Sequence, residues 1–159
     1  MTPTPQPPIR ISSADPDSPA ACACLSAYYR LLLDKIPELH AGQLPLPLPN
    51  PETYRPPQGA FLIAWAKAQP LGCVSLRPLG PTLGEVKRLW VDPAARGQGL
   101  ARRLMHAIEE QARALGQTRL RLDTNSALPE AIALYRATGW TDIAPYTDFP
   151  ADCWFEKHL

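Results

Sequence analysis

The sequence lacks the features that mark membrane, secreted and strongly charged proteins. No apolar run approaches the roughly 20 residues that span a bilayer, and the first residues show no basic segment followed by an apolar core. The formal net charge is only +1, so no global attraction to nucleic acid or to an anionic membrane is expected. These absences predict a cytoplasmic protein without nucleic-acid or membrane partners.

Cysteine is scarce and is not spaced for metal binding. The four cysteines are Cys22, Cys24, Cys73 and Cys153. Cys22 and Cys24 are closer together than an ordinary zinc knuckle requires, and no matching Cys/His pair follows. We therefore predict reduced thiols and no metal site.

Proline, by contrast, is abundant and unevenly placed. The 20 prolines cluster in residues 3–8, 45–57 and 78–81. We expect residues 1–8 to be a disordered tail and residues 9–159 to form a single domain with one core. No regular ladder passes through so many prolines, so residues 37–58 are predicted to be a long packed loop that borders a pocket.

Strand and helix patterns alternate along the rest of the chain. The predicted elements are a strand over 9–12, a helix over 20–33, strands over 59–67, 71–79 and 83–91, a helix over 100–115, a strand over 118–123, a helix over 129–138, and strands over 140–143 and 153–157. The three middle strands favour an antiparallel meander. The strand, helix and strand over 83–123 favour a parallel pair.

A glycine-rich turn joins the strand over 83–91 to the following helix. Asp92-Pro93 stops the strand, Gly97 and Gly99 follow, and helical periodicity starts at Leu100. The first N–H groups of a helix have no intrahelical partner, and glycine lets an anion approach the backbone. The turn therefore predicts a cradle for a phosphorylated cofactor. A dinucleotide-binding loop fits poorly, because its third glycine would fall on Arg102.

These residues resemble the motifs of a known family. Arg96-Gly97-Gln98-Gly99-Leu100-Ala101 is similar to the Arg/Gln-x-x-Gly-x-Gly/Ala signature of the GNAT superfamily of acyl-CoA-dependent N-acetyltransferases. Asn125, the run 131–135 and Gly139-Trp140 resemble its second pattern, and the resemblance covers about residues 59–159. It implies an α/β (α+β) fold, with a mixed, mostly antiparallel sheet of six to seven strands, a central parallel splayed pair and about four flanking helices.

The resemblance also implies where acetyl-CoA binds, namely in the cleft where two neighbouring strands separate. Backbone N–H groups of the glycine loop would bind the pyrophosphate, and the strand backbone would contact the pantetheine arm. The cofactor-binding residues that it implies are Leu89, Trp90, Val91, Arg96, Gly97, Gln98, Gly99, Leu100, Ala101, Arg102, Arg103 and Asn125. Asn125 has an alternative role as a turn residue, and the arginines have one as solvated helix surface.

Two residues match the family's catalytic positions. Glu85 is the predicted base that removes a proton from the acceptor amine, directly or through water, and its alternative is an exposed strand-end carboxylate. Tyr135 is the predicted general acid for the departing thiolate, and its alternative is a buried aromatic anchor. Tyr54, Tyr146 and Asp148 are weaker candidates for the lining of the acceptor pocket.

The implied function is transfer of an acetyl group from acetyl-CoA to a primary amine of a small molecule or peptide, by direct attack in a ternary complex. A non-catalytic acyl-CoA-binding or sensing module is the alternative from another class. Transfer of a different acyl group, such as succinyl, also stays open. Dimers are common in the resembled family, so a homodimer is a further option.

Overall fold

A seven-stranded sheet forms the centre of the computed structural model, which describes residues 7–159. The strands are β1 (Ile9–Ser13), β2 (Ala60–Ala66), β3 (Gln69–Pro78), β4 (Leu83–Val91), β5 (Arg119–Thr124), β6 (Thr141–Asp142) and β7 (Cys153–His158). The helices are α1 (Pro19–Lys35), α2 (Leu100–Ala114) and α3 (Pro129–Ala137). Residues 1–6 of the predicted tail lie outside the described residues.

The strand order is β1-β2-β3-β4-β5-β7-β6, and β4 and β5 are the one parallel pair within residues 7–159. This confirms the predicted mixed, mostly antiparallel sheet with a central parallel pair. The described residues contain three α-helices rather than about four. The proline-rich loop forms only two short 3-10 turns, Ala41–Gln43 and Pro51–Tyr54, because proline lacks the N–H that a longer helix needs.

Helices cover both faces of the sheet. Ser18 caps α1 by accepting a hydrogen bond at Oγ from the Ala21 N–H, at 3.3 Å. Leu25 and Leu32 of α1 pack with Phe61 in one buried cluster, and the apolar side of α2 packs in another. None of the helices within residues 7–159 has the length and apolar character needed to cross a bilayer.

The central parallel pair separates soon after it begins. Only Leu83–Glu85 of β4 pair with Arg119–Arg121 of β5, whereas β5 continues to pair with β7 as far as Thr124. From Val86 onward, β4 therefore has no described strand partner on its β5 side. Backbone groups of β4 are left available to a ligand at this separation.

A β-bulge distorts β4 at the same place. The register with β3 shifts between Cys73 and Ser75, and Arg88 takes a positive φ of 58°. Two β3 side chains hold the bulge: Cys73 Sγ donates to the Arg88 carbonyl at 3.3 Å, and Ser75 Oγ donates to the Lys87 carbonyl at 2.9 Å. The bulge turns the side chains of Lys87 and Arg88 into defined positions beside the separation.

Candidate active site

The start of α2 forms an anion cradle. Gly97 and Gly99 have φ values of 79° and 73°, and Gly99 caps the helix without a side-chain hydrogen bond. The first helical bond runs from the Arg103 N–H to the Gly99 carbonyl at 3.1 Å. Among the described residues, the N–H groups of residues 97–102 have no backbone acceptor. They can bind phosphate oxygens, as the glycine pattern predicts.

A cavity of about 520 Å³, here named the cofactor cleft, extends from this cradle between β4 and α3. The predicted cofactor-binding residues that line it are Leu89, Trp90, Val91, Arg96, Gly97, Gly99, Leu100, Ala101 and Arg102. Its opposite wall is mostly apolar and includes Ala131 and Leu134 of α3. A long ligand with a phosphorylated end and a slender arm fits this combination of cradle, cleft and unpaired strand backbone.

Three predicted cofactor-binding residues do not line the cofactor cleft. Gln98 lies in the cradle loop, and Arg103 donates from Nη2 to the Ile9 carbonyl at 2.9 Å, so its side chain faces β1. Asn125 accepts at Oδ1 from the Ala127 N–H at 2.8 Å and donates from Nδ2 to the Pro150 carbonyl at 2.7 Å. Both ends of this amide are thus engaged, which favours its alternative role as a turn residue.

A second cavity of about 210 Å³ lies beside the bulge of β4 and the end of β5. Its wall combines α1, the β4 bulge, the end of β5 and the loop before β7; the lining residues are Tyr28, Tyr29, Leu32, Ile36, Gln43, Leu44, Pro45, Lys87, Arg88, Asp123, Thr124, Asn125, Leu128, Pro150 and Ala151. Tyr28 and Leu128 line both this cavity and the cofactor cleft. The two cavities therefore meet at these side chains.

A narrow space between β4 and β5 joins the same region, and Tyr135 lines it. The Tyr135 ring is 5% exposed and packs against Trp140 and Phe155, with ring centroids 6.0 and 5.9 Å away. Burial raises the pKa of Tyr135 above its ordinary value, and the nearby Tyr28 and Asp123 raise it further. Tyr135 therefore keeps its proton at neutral pH.

Glu85 lies in a buried ion cluster next to the separation. It is 0% exposed. The alternative interpretation of Glu85 as an exposed carboxylate at a strand end is therefore wrong. Its Oε1 lies 2.7 Å from Arg77 Nε and 3.4 Å from Lys87 Nζ, and its Oε2 accepts from the Tyr146 hydroxyl at 2.8 Å. Burial raises the pKa of Glu85, but Lys87, Arg77 and Tyr146 lower it overall.

This environment disfavours proton abstraction by Glu85. Both oxygens are engaged by the cluster, the pKa is lowered rather than raised, and Glu85 lines none of the three cavities described. A general base works best with a pKa near the operating pH. The catalytic role of Glu85 stays a prediction, and its contacts favour a structural one.

The structure places four further side chains where the cavities meet: Tyr28, Lys87, Arg88 and Asp123. The position of Asp123 in the site could have been predicted from the sequence, because this residue ends a predicted parallel strand. Ligands bind outside the carboxyl ends of such strands. Tyr28 has the spacing of a helix core residue and gives no such signal. The position of Arg88 depends on the bulge, which the sequence pattern does not reveal.

The combination of a splayed sheet, an anion cradle and a long cleft is suited to an extended, phosphorylated ligand. The sequence model described as the acetyltransferase (GNAT) family matches residues 20–140. The chain therefore belongs to the GNAT family of acetyltransferases and is an acyltransferase.

Individual relatives agree with this assignment. An IAA acetyltransferase of Azospirillum brasilense is 38% identical over 113 residues, which cover 68% of this chain and 73% of the relative. A Klebsiella pneumoniae structure described as a candidate acyl-CoA N-acyltransferase has a TM-score of 0.74 at 28% identity, covering 95% of this chain and 97% of that one. A Salmonella typhimurium structure that contains acetyl-CoA has a TM-score of 0.70 at 19% identity, covering 95% and 94%.

Proposed function

We propose that the protein transfers an acetyl group from acetyl-CoA to a primary amine of a small molecule, by direct attack in a ternary complex. The observation that carries this proposal is the meeting of two cavities at the separated strands, with Tyr28 and Leu128 lining both. A donor in the cofactor cleft and an amine in the second cavity can then be bound at the same time. From here the second cavity is named the acceptor cavity.

Acetyl-CoA supplies an acetyl thioester when it is bound. The N–H groups of residues 97–102 bind its pyrophosphate, and the side chains of Arg96 and Arg102 at the cleft add positive charge. The unpaired side of β4 holds the arm as an added strand would be held. A backbone N–H of β4 near Leu89 can donate to the carbonyl oxygen that gains negative charge during attack.

The transfer needs one proton acceptor and one proton donor. The amine nitrogen bonds to the acetyl carbon as the carbon–sulfur bond breaks, so nitrogen loses a proton and sulfur gains one. We assign the donor to Tyr135, as the family pattern predicts. For the acceptor, Asp123 is a better candidate than Glu85, because Asp123 lines the acceptor cavity and Glu85 does not.

The geometry of Asp123 suits a base that also binds an ammonium group. Its Oδ2 accepts from the Thr147 hydroxyl at 2.7 Å, and Thr147 in turn accepts from Trp154 Nε1 at 2.8 Å. Lys87 Nζ lies 3.7 Å from its Oδ1. Asp123 is thus oriented by neighbours while its carboxylate still lines the cavity.

The paired variants Asp123→Asn and Glu85→Gln test this assignment. We expect Asp123→Asn to lower kcat by roughly 10²–10⁴-fold, the usual contribution of a general base. For Glu85→Gln, we expect the main effect to be a lower free energy of unfolding, with a smaller effect on kcat than that of Asp123→Asn. The reverse order, with Glu85→Gln carrying the larger loss of kcat in folded protein, would restore Glu85 as the base.

The proposed reaction itself is tested by thiol release from acetyl-CoA in the presence of a panel of primary amines. The expected result is amine-dependent release of CoA, with the acetylated amine detected by mass. Tight binding of acetyl-CoA without release across the panel would contradict transfer to an amine. Equal or faster release from succinyl-CoA would instead show that the donor is a different acyl-CoA.

A further inference from the structure

Arg88 lines the acceptor cavity, and no carboxylate of the described residues 7–159 pairs with it. Its Nε donates to the Tyr29 hydroxyl at 3.3 Å and its Nη1 to the Tyr54 hydroxyl at 2.9 Å, and its Cζ lies 5.5 Å from the centre of the Tyr54 ring. These neutral groups orient the guanidinium but carry no negative charge. Within residues 7–159, Arg88 has no ion pair and its Nη2 has no hydrogen bond.

The other charged side chains at the cavity balance one another: Lys87 and Asp123 line it, whereas Arg77 and Glu85 do not line it and are joined to it through Lys87. Arg77 and Lys87 pair with Glu85, and Lys87 also lies beside Asp123. Two cations thus face two carboxylates, and Arg88 adds one positive charge. The side chain of Arg88 is half-buried, and a charge removed from water is costly unless it is paired. One carboxylate of a ligand would match the single charge of Arg88, whereas a doubly charged phosphate would exceed it.

The fold holds Arg88 in a position that is unusual for its residue type. A φ of 58° is rare for a residue with a long side chain, and such strained positions cluster at ligand sites. Tyr29 from α1 and Tyr54 from the proline-rich loop converge on the same guanidinium. A guanidinium oriented in this way, with donors to spare, is suited to the planar, two-oxygen geometry of a carboxylate.

We propose that the acceptor is a small amine that carries a carboxylate, as a free amino acid does, with its carboxylate on Arg88 and its amine towards Asp123. This inference rests on the proposed function. Both side chains line one cavity, so the two charged ends of one small molecule can reach them together. In a peptide the carboxylate next to the amine is replaced by an amide, so a free amino acid fits better than a peptide N-terminus.

The size and lining of the cavity narrow the acceptor further. A volume of about 210 Å³ suits a molecule of amino-acid size. Leu32, Ile36 and Leu44 contribute an apolar part of the wall. An apolar side chain on the acceptor would bury its surface there.

Matched acceptors test the carboxylate directly. The value of kcat/KM is measured by thiol release for leucine, leucinamide and 3-methylbutylamine at saturating acetyl-CoA, with each rate corrected for the fraction of neutral amine. The series is repeated with phenylalanine, phenylalaninamide and phenethylamine. We expect the carboxylate-bearing member of each series to be preferred by roughly 10- to 100-fold, the range of a charged hydrogen-bonded contact.

Variants then link the preference to Arg88. Arg88→Met should abolish it by raising KM for leucine while KM for leucinamide changes little, and Arg88→Lys should retain part of it. Arg30→Met is the matched control, because Arg30 lies exposed on α1 and lines none of the described cavities. It should keep the wild-type preference. The Kd for acetyl-CoA, measured on each variant, shows whether the variant is folded.

The outcomes separate this inference from the proposed function. If the wild-type protein acetylates the amides and plain amines as fast as the amino acids, the proposed recognition of a carboxylate is overturned. The proposed acetylation of amines would still stand. A preference that survives Arg88→Met in folded protein would also overturn the role of Arg88. Absence of transfer to every amine tested would overturn both.

Discussion

At the scale of single residues, the site contains buried hydroxyls and charges whose pKa values are set by their surroundings. Tyr135 is the clearest case, because burial and two neighbouring groups raise its pKa and so keep its proton in place at neutral pH. Because a tyrosinate is a stronger base than a thiolate, Tyr135 would give up its proton only transiently in the proposed reaction and would regain one before the next turnover. Tyr135 lines the narrow space between β4 and β5, next to both cavities.

The substitution Tyr135→Phe keeps the ring packing with Trp140 and Phe155 and removes the proton. We expect kcat to fall by roughly 10²–10⁴-fold while the Kd for acetyl-CoA stays near the wild-type value. Tyr28→Phe is the matched control, since Tyr28 lines the same space and its pKa is also raised by burial. A wild-type kcat in Tyr135→Phe, with a large loss in Tyr28→Phe, would assign the donor to Tyr28.

Glu85 leads to a prediction on stability and pH. Its folded pKa is lowered from the ordinary value of about 4.3, so its ion pairs stabilise the fold fully above that value. The stabilisation is lost as the pH falls through the folded pKa. Glu85→Gln should reduce the free energy of unfolding at pH 7 by less than the ~3–5 kcal/mol of a fully buried pair, because the Arg77 side chain is 39% exposed.

Urea denaturation of wild type and Glu85→Gln at pH 7 and at pH values below 4 measures this difference. The gap between the two proteins should narrow as the pH falls, since protonation of Glu85 removes the same interaction that the substitution removes. A gap that stays constant over this range would show that the ion cluster does not stabilise the fold.

At the scale of elements, the cradle at the start of α2 depends on backbone conformation. A Cβ added to Gly99 would meet no protein atom within 4 Å, yet its φ of 73° disfavours any other residue. Gly116, after the end of α2, is alike in both respects, with a φ of 82°. The two glycines differ in that only Gly99 lines the cofactor cleft.

This difference gives a matched pair of substitutions. Gly99→Ala and Gly116→Ala should each reduce the free energy of unfolding by roughly 1–2 kcal/mol, the cost of the left-handed conformation. Only Gly99→Ala should also raise the Kd for acetyl-CoA, because its Cβ would occupy the space of the phosphate. Calorimetry of both variants measures the two effects, and equal Kd values for both would argue against binding at the cradle.

The bounds of helices and strands could be predicted well from the sequence where they depend on local residue patterns. The bounds of β4 agree with the prediction, and those of α2 differ by one residue, because periodicity and the glycine turn are local signals. The start of α3 shows the limit of local pattern, because Leu128 is the capping residue and makes no side-chain hydrogen bond, although Ser126, a residue type that favours capping, lies close by. Ser126 Oγ donates instead to Asp152 Oδ2 at 2.6 Å, a long-range contact that no local pattern shows.

The candidate site could be predicted only in part, because some of its contacts join residues that are distant in the sequence. The cradle and Tyr135 follow from motifs, whereas the surroundings of Glu85 are assembled from Arg77 on β3 and Tyr146 in the loop before β7. The positive φ of Arg88 arises from the register of β4 against β3. A residue's burial and partners depend on such pairings, so its chemical role could not be assigned from its type and position alone.

At the scale of the whole molecule, binding of acetyl-CoA should stabilise the fold. At a concentration of 100 times Kd, the gain is about 2.7 kcal/mol, which raises Tm by roughly 5–10 °C for a chain of this size. Pantetheine is the control ligand, because it lacks the pyrophosphate that we propose the cradle binds. Thermal unfolding with each ligand at equal concentration measures the effect, and equal shifts would contradict a role for the cradle in affinity.

The short pairing of β4 with β5 has a further consequence. Strands β1–β4 and β5–β7 form two half-sheets, and within residues 7–159 they share a single ladder, the three residue pairs from Leu83 to Glu85. Extending that ladder would add hydrogen bonds and stabilise the apoprotein, but it would fill the gap where the proposed function requires donor and acceptor to meet. Selection for thermal stability and selection for turnover therefore act in opposite directions at this seam. Stabilising substitutions that preserve activity should be sought in the outer strands of each half-sheet.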